Sequence, residues 1–155
     1  MISLELKVVS FLLSEEKFAL DIMNVDSIVE LGKIVKIPES ADYVEGIMNL
    51  RGNVIPVINL KKKFKMRDTE RKPSSKIIVI NLDDRKVGLL VDQVHEVLTI
   101  TDKQIEQPPT DVSKSKTNIV LGIAKLDQDL LIILNAKELL TAQEQVQLEG
   151  LTKLA

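Results

Sequence analysis

The only histidine in the chain, His95, stands in Asp92-Gln93-Val94-His95-Glu96-Val97, with carboxylates three positions before it and one after. A general base needs such neighbours, and it also needs a nucleophile or a polarised water to act on. The chain has no Cys, and Ser74-Ser75 and Ser113 to Ser115 lie in polar stretches without a G-x-S-x-G elbow. His95 therefore reads as a polar position on a short amphipathic helix. One histidine without cysteine cannot build a standard structural zinc site. No G-x-x-x-x-G-K-[ST] or G-x-G-x-x-G phosphate cradle is present, and Asp83-Asp84 suits a hairpin turn better than acid–base work. The expectation is a chain without catalysis, metal or cofactor.

Two features remain that could bind. Lys61-Lys62-Lys63-Phe64-Lys65-Met66-Arg67 is the one basic cluster. With 23 acids against 21 bases and only 3% aromatic residues, it predicts a solvated chain exit rather than a nucleic-acid site. The second feature is Arg51, at the tip of VEGIMNLRGNVIPVINL, Val44 to Leu60. Two apolar strands flank Arg51-Gly52-Asn53, and Gly52 supplies the positive φ that a tight turn needs. An arginine there is either solvated or a fixed five-donor fork for a partner's carboxylate or carbonyl. The residues alone leave both readings open.

The elements that must position these residues are mostly short Val/Ile/Leu-rich runs between turn residues, the strand signal. Leu6 to Leu13 and Lys17 to Ile22 flank a turn at Ser14-Glu15-Glu16. Val25 to Val29 predicts a short helical turn, Lys33 to Ile37 a strand ended by Pro38, and Ser40 a cap for a short helix through Tyr43. Asp68 to Ser75 is a polar loop. Lys76 to Leu82 with Lys86 to Val91, and Ile119 to Leu134, form further hairpins. Thr101 to Asn118, with Pro108-Pro109, is a long connection, and Lys137 to Leu148 has a helical period. Residues 1–155 form a single mainly β domain. The N-terminus lacks the uninterrupted apolar core of a signal peptide, and no run is long enough to span a bilayer, so the cytoplasm is the expected location.

A repeat organises the chain. Gly46, Leu50, Asn59 and Lys61 recur 76 positions later as Gly122, Leu126, Asn135 and Lys137. Phe18 to Val25 resembles Val87 to Val94 at an offset of 69, the difference being absorbed by the longer 101–118 connection. Each copy reads as strand, strand, short helix, strand, hairpin. Two small barrels packed together fit this pattern, since closing a short sheet removes its edges. The chain is expected to cross between lobes near 68–75 and 135–155.

Gly46-Ile47-Met48-Asn49-Leu50-Arg51-Gly52, followed by Pro56-Val57-Ile58-Asn59-Leu60, resembles the G-x-x-N-L-R-G-x-x-x-P-V-[IV]-[DN]-L signature of the CheW family of chemotaxis coupling proteins. Val87-Gly88-Leu89-Leu90-Val91-Asp92-Gln93-Val94 and the stretch from Gly122 to Asn135 extend the likeness through the chain. The resemblance implies two five-stranded SH3-like β-barrels around a shared hydrophobic core. It implies a non-catalytic, cytoplasmic adaptor, monomeric alone and working in a large receptor array. Its partners would be the cytoplasmic tip of chemoreceptors and the regulatory domain of a CheA-type histidine kinase, with no nucleic acid and no membrane insertion. Carried over by motif, Val25, Ile28, Gly46, Arg51, Val54, Ile77, Gly88 and Val94 would line or shape a receptor groove, and Asn49, Leu50, Gly52 and Pro56 would build its turn. Core packing explains the apolar members equally well. Ser27 stands where some relatives carry Glu, and Asn59 where many carry Asp. The kinase-facing residues carry no motif. A coupling protein of a twitching or developmental pathway and, more remotely, a nucleic-acid-binding barrel remain as alternatives.

Overall fold

The computed structural model describes residues 4–67, 71–107 and 119–153. Pro108-Pro109, Ser113 to Ser115 and the start of the 68–75 loop lie outside them. Among the described residues, eleven strands alternate with short helical turns: β1 (Glu5–Leu13), β2 (Glu16–Asp21), a 3-10 turn (Ile22–Asn24), β3 (Val25–Glu30), β4 (Val44–Leu50), β5 (Asn53–Asn59) and α1 (Leu60–Lys63). The second half supplies β6 (Lys76–Leu82), β7 (Arg85–Val91), β8 (Gln93–Thr101), a 3-10 turn (Asp102–Gln104), β9 (Ile105–Glu106), β10 (Val120–Leu126), β11 (Asp129–Leu134), a 3-10 turn (Ala136–Glu138) and α2 (Ala142–Lys153). Among the described residues no helix is long and apolar enough to cross a membrane.

The strands form two sheets, β8-β1-β2-β11-β10-β9 and β3-β6-β7-β5-β4. The repeat maps one order onto the other: β1, β2, β3, β4 and β5 correspond to β6, β7, β8, β10 and β11. Both sheets join their two hairpins through a parallel pair, β2 with β11 and β7 with β5. The barrels, however, are not the copies. Hairpin β1–β2 of the first half lies in the sheet of β8 to β11, and hairpin β6–β7 of the second half lies in the sheet of β3 to β5. The chain changes sheets at Ile22–Asn24 and at Asp92, not near 68–75, because β5 and β6 belong to the same sheet. From β11 the C-terminal segment passes to α2, which packs against β5 of the other sheet.

The exchanged hairpins β1–β2 and β6–β7 bury both faces, one in a barrel and one in the layer between the lobes. Val8, Ala19, Ile100, Ala124, Leu131 and Ile133 fill one barrel, and Met48, Leu50, Ile55, Val57, Ile77, Val79 and Leu90 fill the other. The largest cluster lies between them, where Phe11, Leu13, Phe18 and Leu20 meet Ile58, Ile78, Ile80 and Leu89. Fully burying one such side chain contributes about 1.5–3 kcal/mol, so this layer ties the lobes into one unit.

Three local expectations are corrected. Val25–Glu30 is a strand whose half-buried and exposed positions alternate, and the turn precedes it, capped by Asp21 Oδ1 accepting from Met23 N–H at 2.9 Å. Val94–Val97 is part of strand β8, so His95 is an exposed edge-strand residue, not a helical one. Lys33 to Ile37 contributes only a bridge between Val35 and Ile47, and Ser40 Oγ donates to Ile37 carbonyl in a turn.

Candidate functional site

Register explains the hairpin that carries Arg51. Leu50 pairs with Asn53, leaving Arg51 and Gly52 as a two-residue turn, and both have positive φ, +51° and +89°. That is the type I′ geometry whose twist suits a hairpin. Asn49 Oδ1 accepts from Gly52 N–H at 2.9 Å and holds the turn. Met48, Leu50, Ile55 and Val57 anchor both strands in the barrel core. Pro56 sits one residue before the parallel ladder to β7 begins at Val57, so its missing N–H costs no bond on that side. The result is an exposed guanidinium on a rigid tip. Its backbone sits in the left-handed region, which costs a non-glycine residue about 1–2 kcal/mol.

On β5, Ile55 and Val57 point into the barrel, which turns Val54, Pro56 and Ile58 to the opposite face. Ile58 joins the shared core, while Val54 and Pro56 line a cavity of about 340 Å³ with Leu82, Val87, Leu140 and Leu148. Arg85, Lys86 and Glu149 rim it. Val54 and Asn53 bring the cavity to within two residues of Arg51 along the chain.

The other expected groove residues divide. Ile28, exposed on edge strand β3, shares a row with Ile78, Leu89 and Ile58, three strand spacings or roughly 14 Å from β5. Val25 and Val94 occupy equivalent positions in the repeat and pack half-buried against the shared core. Ile77 is wholly buried in its barrel and presents nothing to a partner. Gly88 faces the same interior, where an added Cβ would lie 2.8 Å from Ile77 Cγ2, so its job is close packing. Gly46, at φ +146°, closes the barrel seam, and a Cβ there would lie 2.2 Å from Val35 carbonyl oxygen. Its repeat mate Gly122 does the same against Ile105 and Glu106. Sequence reasoning missed Val97, the repeat counterpart of Ile28 and likewise exposed on an edge strand; the 69-residue offset could have found it.

The basic cluster is not a solvated exit. Lys61 is buried, with Nζ 2.8 Å from Asp92 Oδ1, their side chains only 3% and 10% exposed. Lys63 pairs with Glu144 of α2 and lies 4.8 Å over the Tyr43 ring. Lys62 approaches Glu45, which also pairs with Arg71 and accepts from Asn59 Nδ2 at 2.8 Å. Asn59 further caps α1 through Oδ1 and Lys62 N–H, as Asn135 caps the last 3-10 turn. An Asp at 59 could not donate to Glu45.

Burial alone would raise Glu45 and Glu144, but hydrogen bonds and cations outweigh it: Asn59, Arg71 and Lys62 for Glu45, Lys63 and Thr141 N–H foremost for Glu144. Both lie below the usual carboxylate range. Their stabilisation is present above about pH 4.3 and is lost as pH falls through the lower folded values. Tyr43 moves the other way, pushed up to about 12 by burial first and then by Glu144, with Asp42 adding to it. The folded state keeps this phenol protonated where the unfolded chain releases it near pH 10. Thermal stability is therefore expected to hold to about pH 10 and fall as pH rises towards 12. Tyr43→Phe should flatten that alkaline limb in melts followed by circular dichroism; an unchanged limb would place its cause elsewhere.

Two small sheets exchanging hairpins around a common core, with a cationic hairpin tip and an apolar recess, define a β scaffold of the SH3-like kind. The chain belongs to the CheW-like domain family, which matches residues 7–144. It is 38% identical over 136 residues to the chemotaxis protein CheW of Thermotoga maritima, covering 88% of each chain. It is 30% identical over 151 residues to that of Treponema pallidum, covering 95% of this chain and 89% of the relative. The crystal structure of the scaffolding protein TtCheW from Thermoanaerobacter tengcongensis superposes with a TM-score of 0.82 at 42% identity, over 91% of this chain and 97% of that one.

Proposed function

We propose that this chain is a cytoplasmic, non-catalytic adaptor that couples chemoreceptors to a CheA-type histidine kinase, so that kinase activity follows receptor state. The observation that carries the reading is Arg51: a strained, exposed residue on a pinned two-residue turn, three positions before Val54 of the recess. A turn with no other task would favour Asn-Gly at these positions, so the arginine is read as acting through its side chain. A receptor helix would lay apolar residues along Val54 and its neighbours and meet Arg51 with a carboxylate or a carbonyl. Ile77, Gly46 and Gly88 shape that surface from behind without touching the partner. The adaptor's contribution is geometry and effective concentration rather than chemistry.

Arg51→Asn separates the two roles of the position. Asn tolerates the left-handed backbone, so the variant should keep its melting temperature or gain about 1–3 °C. It should lose at least about tenfold in receptor binding, the scale of one charge-assisted contact. CheA autophosphorylation in receptor-bearing membranes, with wild type, Arg51→Asn or no adaptor, checks the consequence. Kinase control by wild type alone supports the contact, and equal control by both would return Arg51 to an ordinary turn. Absence of control and of binding to either partner would end the adaptor reading.

A further inference from the structure

Helix α2 is attached in an unusual way. Among its described side chains, 142–150, only Leu148 is buried, and Val146 is 65% exposed. The remaining hold is polar and peripheral. Glu144 pairs with Lys63, Arg85 Nη2 lies 3.2 Å from Glu149 Oε2, and Arg85 Nη1 donates to Gln145 carbonyl at 3.1 Å. Thr141 and Glu144 close a reciprocal cap, each backbone N–H donating to the other's side chain, which lets the helix exist as a unit. What lies beneath is apolar and already partly open: Val54, Pro56, Leu82 and Val87. A groove with an apolar floor and cations on two sides is occupied by a helix carrying an acid, an apolar residue four positions on, and a second acid one beyond.

We propose that α2 is an exchangeable occupant of this groove, standing in for a partner helix of the same chemistry. Displacement of α2 uncovers the floor beside Val54 and leaves Lys63 and Arg85 to receive the incoming helix's carboxylates. The groove is then self-limited: a partner must outcompete a tethered ligand, so apparent affinity falls by the fraction of time α2 is docked. The inference rests on the adaptor reading only for the natural occupant's identity.

The test needs neither receptor nor kinase, so its failure and that of the adaptor reading are distinguishable. A labelled peptide of residues 140–153 is titrated, by fluorescence anisotropy, into the full-length chain and into full-length Glu144→Arg/Glu149→Arg, whose own helix is repelled by Lys63 and Arg85. The peptide should bind the variant at least about tenfold more tightly than wild type. Adding Lys63→Glu and Arg85→Glu should abolish that binding, because the chain's own helix, now carrying two arginines, re-docks on the new carboxylates; a peptide carrying the two Glu→Arg changes should then bind no more tightly than the original peptide binds wild type. Equal affinity for wild type and a folded variant, or no saturable binding to either, would overturn the proposal. If the variant does not fold, hydrogen exchange on wild type decides. Amides 146–150 should exchange at least a hundredfold faster than those of β5 and β7, and protection equal to the sheet's would sink the idea.

Discussion

Gly46→Ala should cost about 3 kcal/mol or more, a large share of the 5–15 kcal/mol that holds an ordinary domain. The new methyl would stand 2.2 Å from the carbonyl oxygen of Val35 and 2.7 Å from its carbon, backbone atoms that no rotamer change can move. They belong to the bridge in which Val35 and Ile47 exchange two hydrogen bonds of 2.8 and 2.9 Å, the seam that closes the barrel. Relieving the clash breaks both bonds and frees β4, which carries Asn49 and Leu50 to the Arg51 turn. Gly52→Ala is the control. It also demands a positive φ, but meets nothing within 4 Å, so only the backbone cost of about 1 kcal/mol remains. Urea unfolding of the two variants distinguishes them, and equal losses would mean that the seam yields.

The second large effect belongs to Lys61 and Asp92. Asp92→Ala should destabilise by about 3–5 kcal/mol, because it removes the carboxylate 2.8 Å from an ammonium whose side chain is only 3% exposed. It also removes the acceptor for Ser14 N–H, 2.6 Å from Oδ2, in the β1–β2 turn. Asp92 backbone N–H donates to Leu12 carbonyl, and Ser74 Oγ donates to Asp92 carbonyl, so this residue is pinned on every side where the chain passes between sheets. Replacing both charges, Lys61→Met with Asp92→Leu, should recover much of the loss, since two desolvated ions exchanged for apolar groups are often neutral. A double-mutant cycle by denaturant melts measures the coupling. An Asp92→Ala cost under about 1 kcal/mol would mean that Lys61 reaches water.

Hairpins and the repeat were legible because their signals are local: apolar runs, two-residue turns and recurring glycines. The partner of each hairpin was not, because the pairs β2 with β11 and β5 with β7 join residues far apart along the chain, and each hairpin has an apolar face that fits either sheet. β3 was misread because Ser27 sits at one of its half-buried positions and masks the alternation of Val25 and Val29. β8 was misread because Asp92 and His95 suggested a polar helix, whereas Val94, Leu98 and Ile100 face inward as strand residues do. Lys61 looked solvated inside a run of lysines; its capture by an acid 31 residues away is a tertiary event. Of the candidate site, the Arg51 turn was readable from Asn49 to Gly52. The burial of Ile77 and the recess under α2 were not.

The hairpin exchange also sets a timetable for synthesis. The sheet of β3 to β7 has all its strands once residue 91 has emerged, with β6–β7 arriving as the last pieces. Hairpin β1–β2, made first, must wait for β11, which ends at Leu134, before its parallel neighbour exists. At translation rates of about 5–20 residues per second that interval is roughly 2–9 s. Throughout it, Phe18 and Leu20 lack the parallel strand they pair with, since their partners are Ile132 and Leu134. The earliest-born strands of this protein are the last to be completed, and newly made chains are most exposed to misassociation in those seconds.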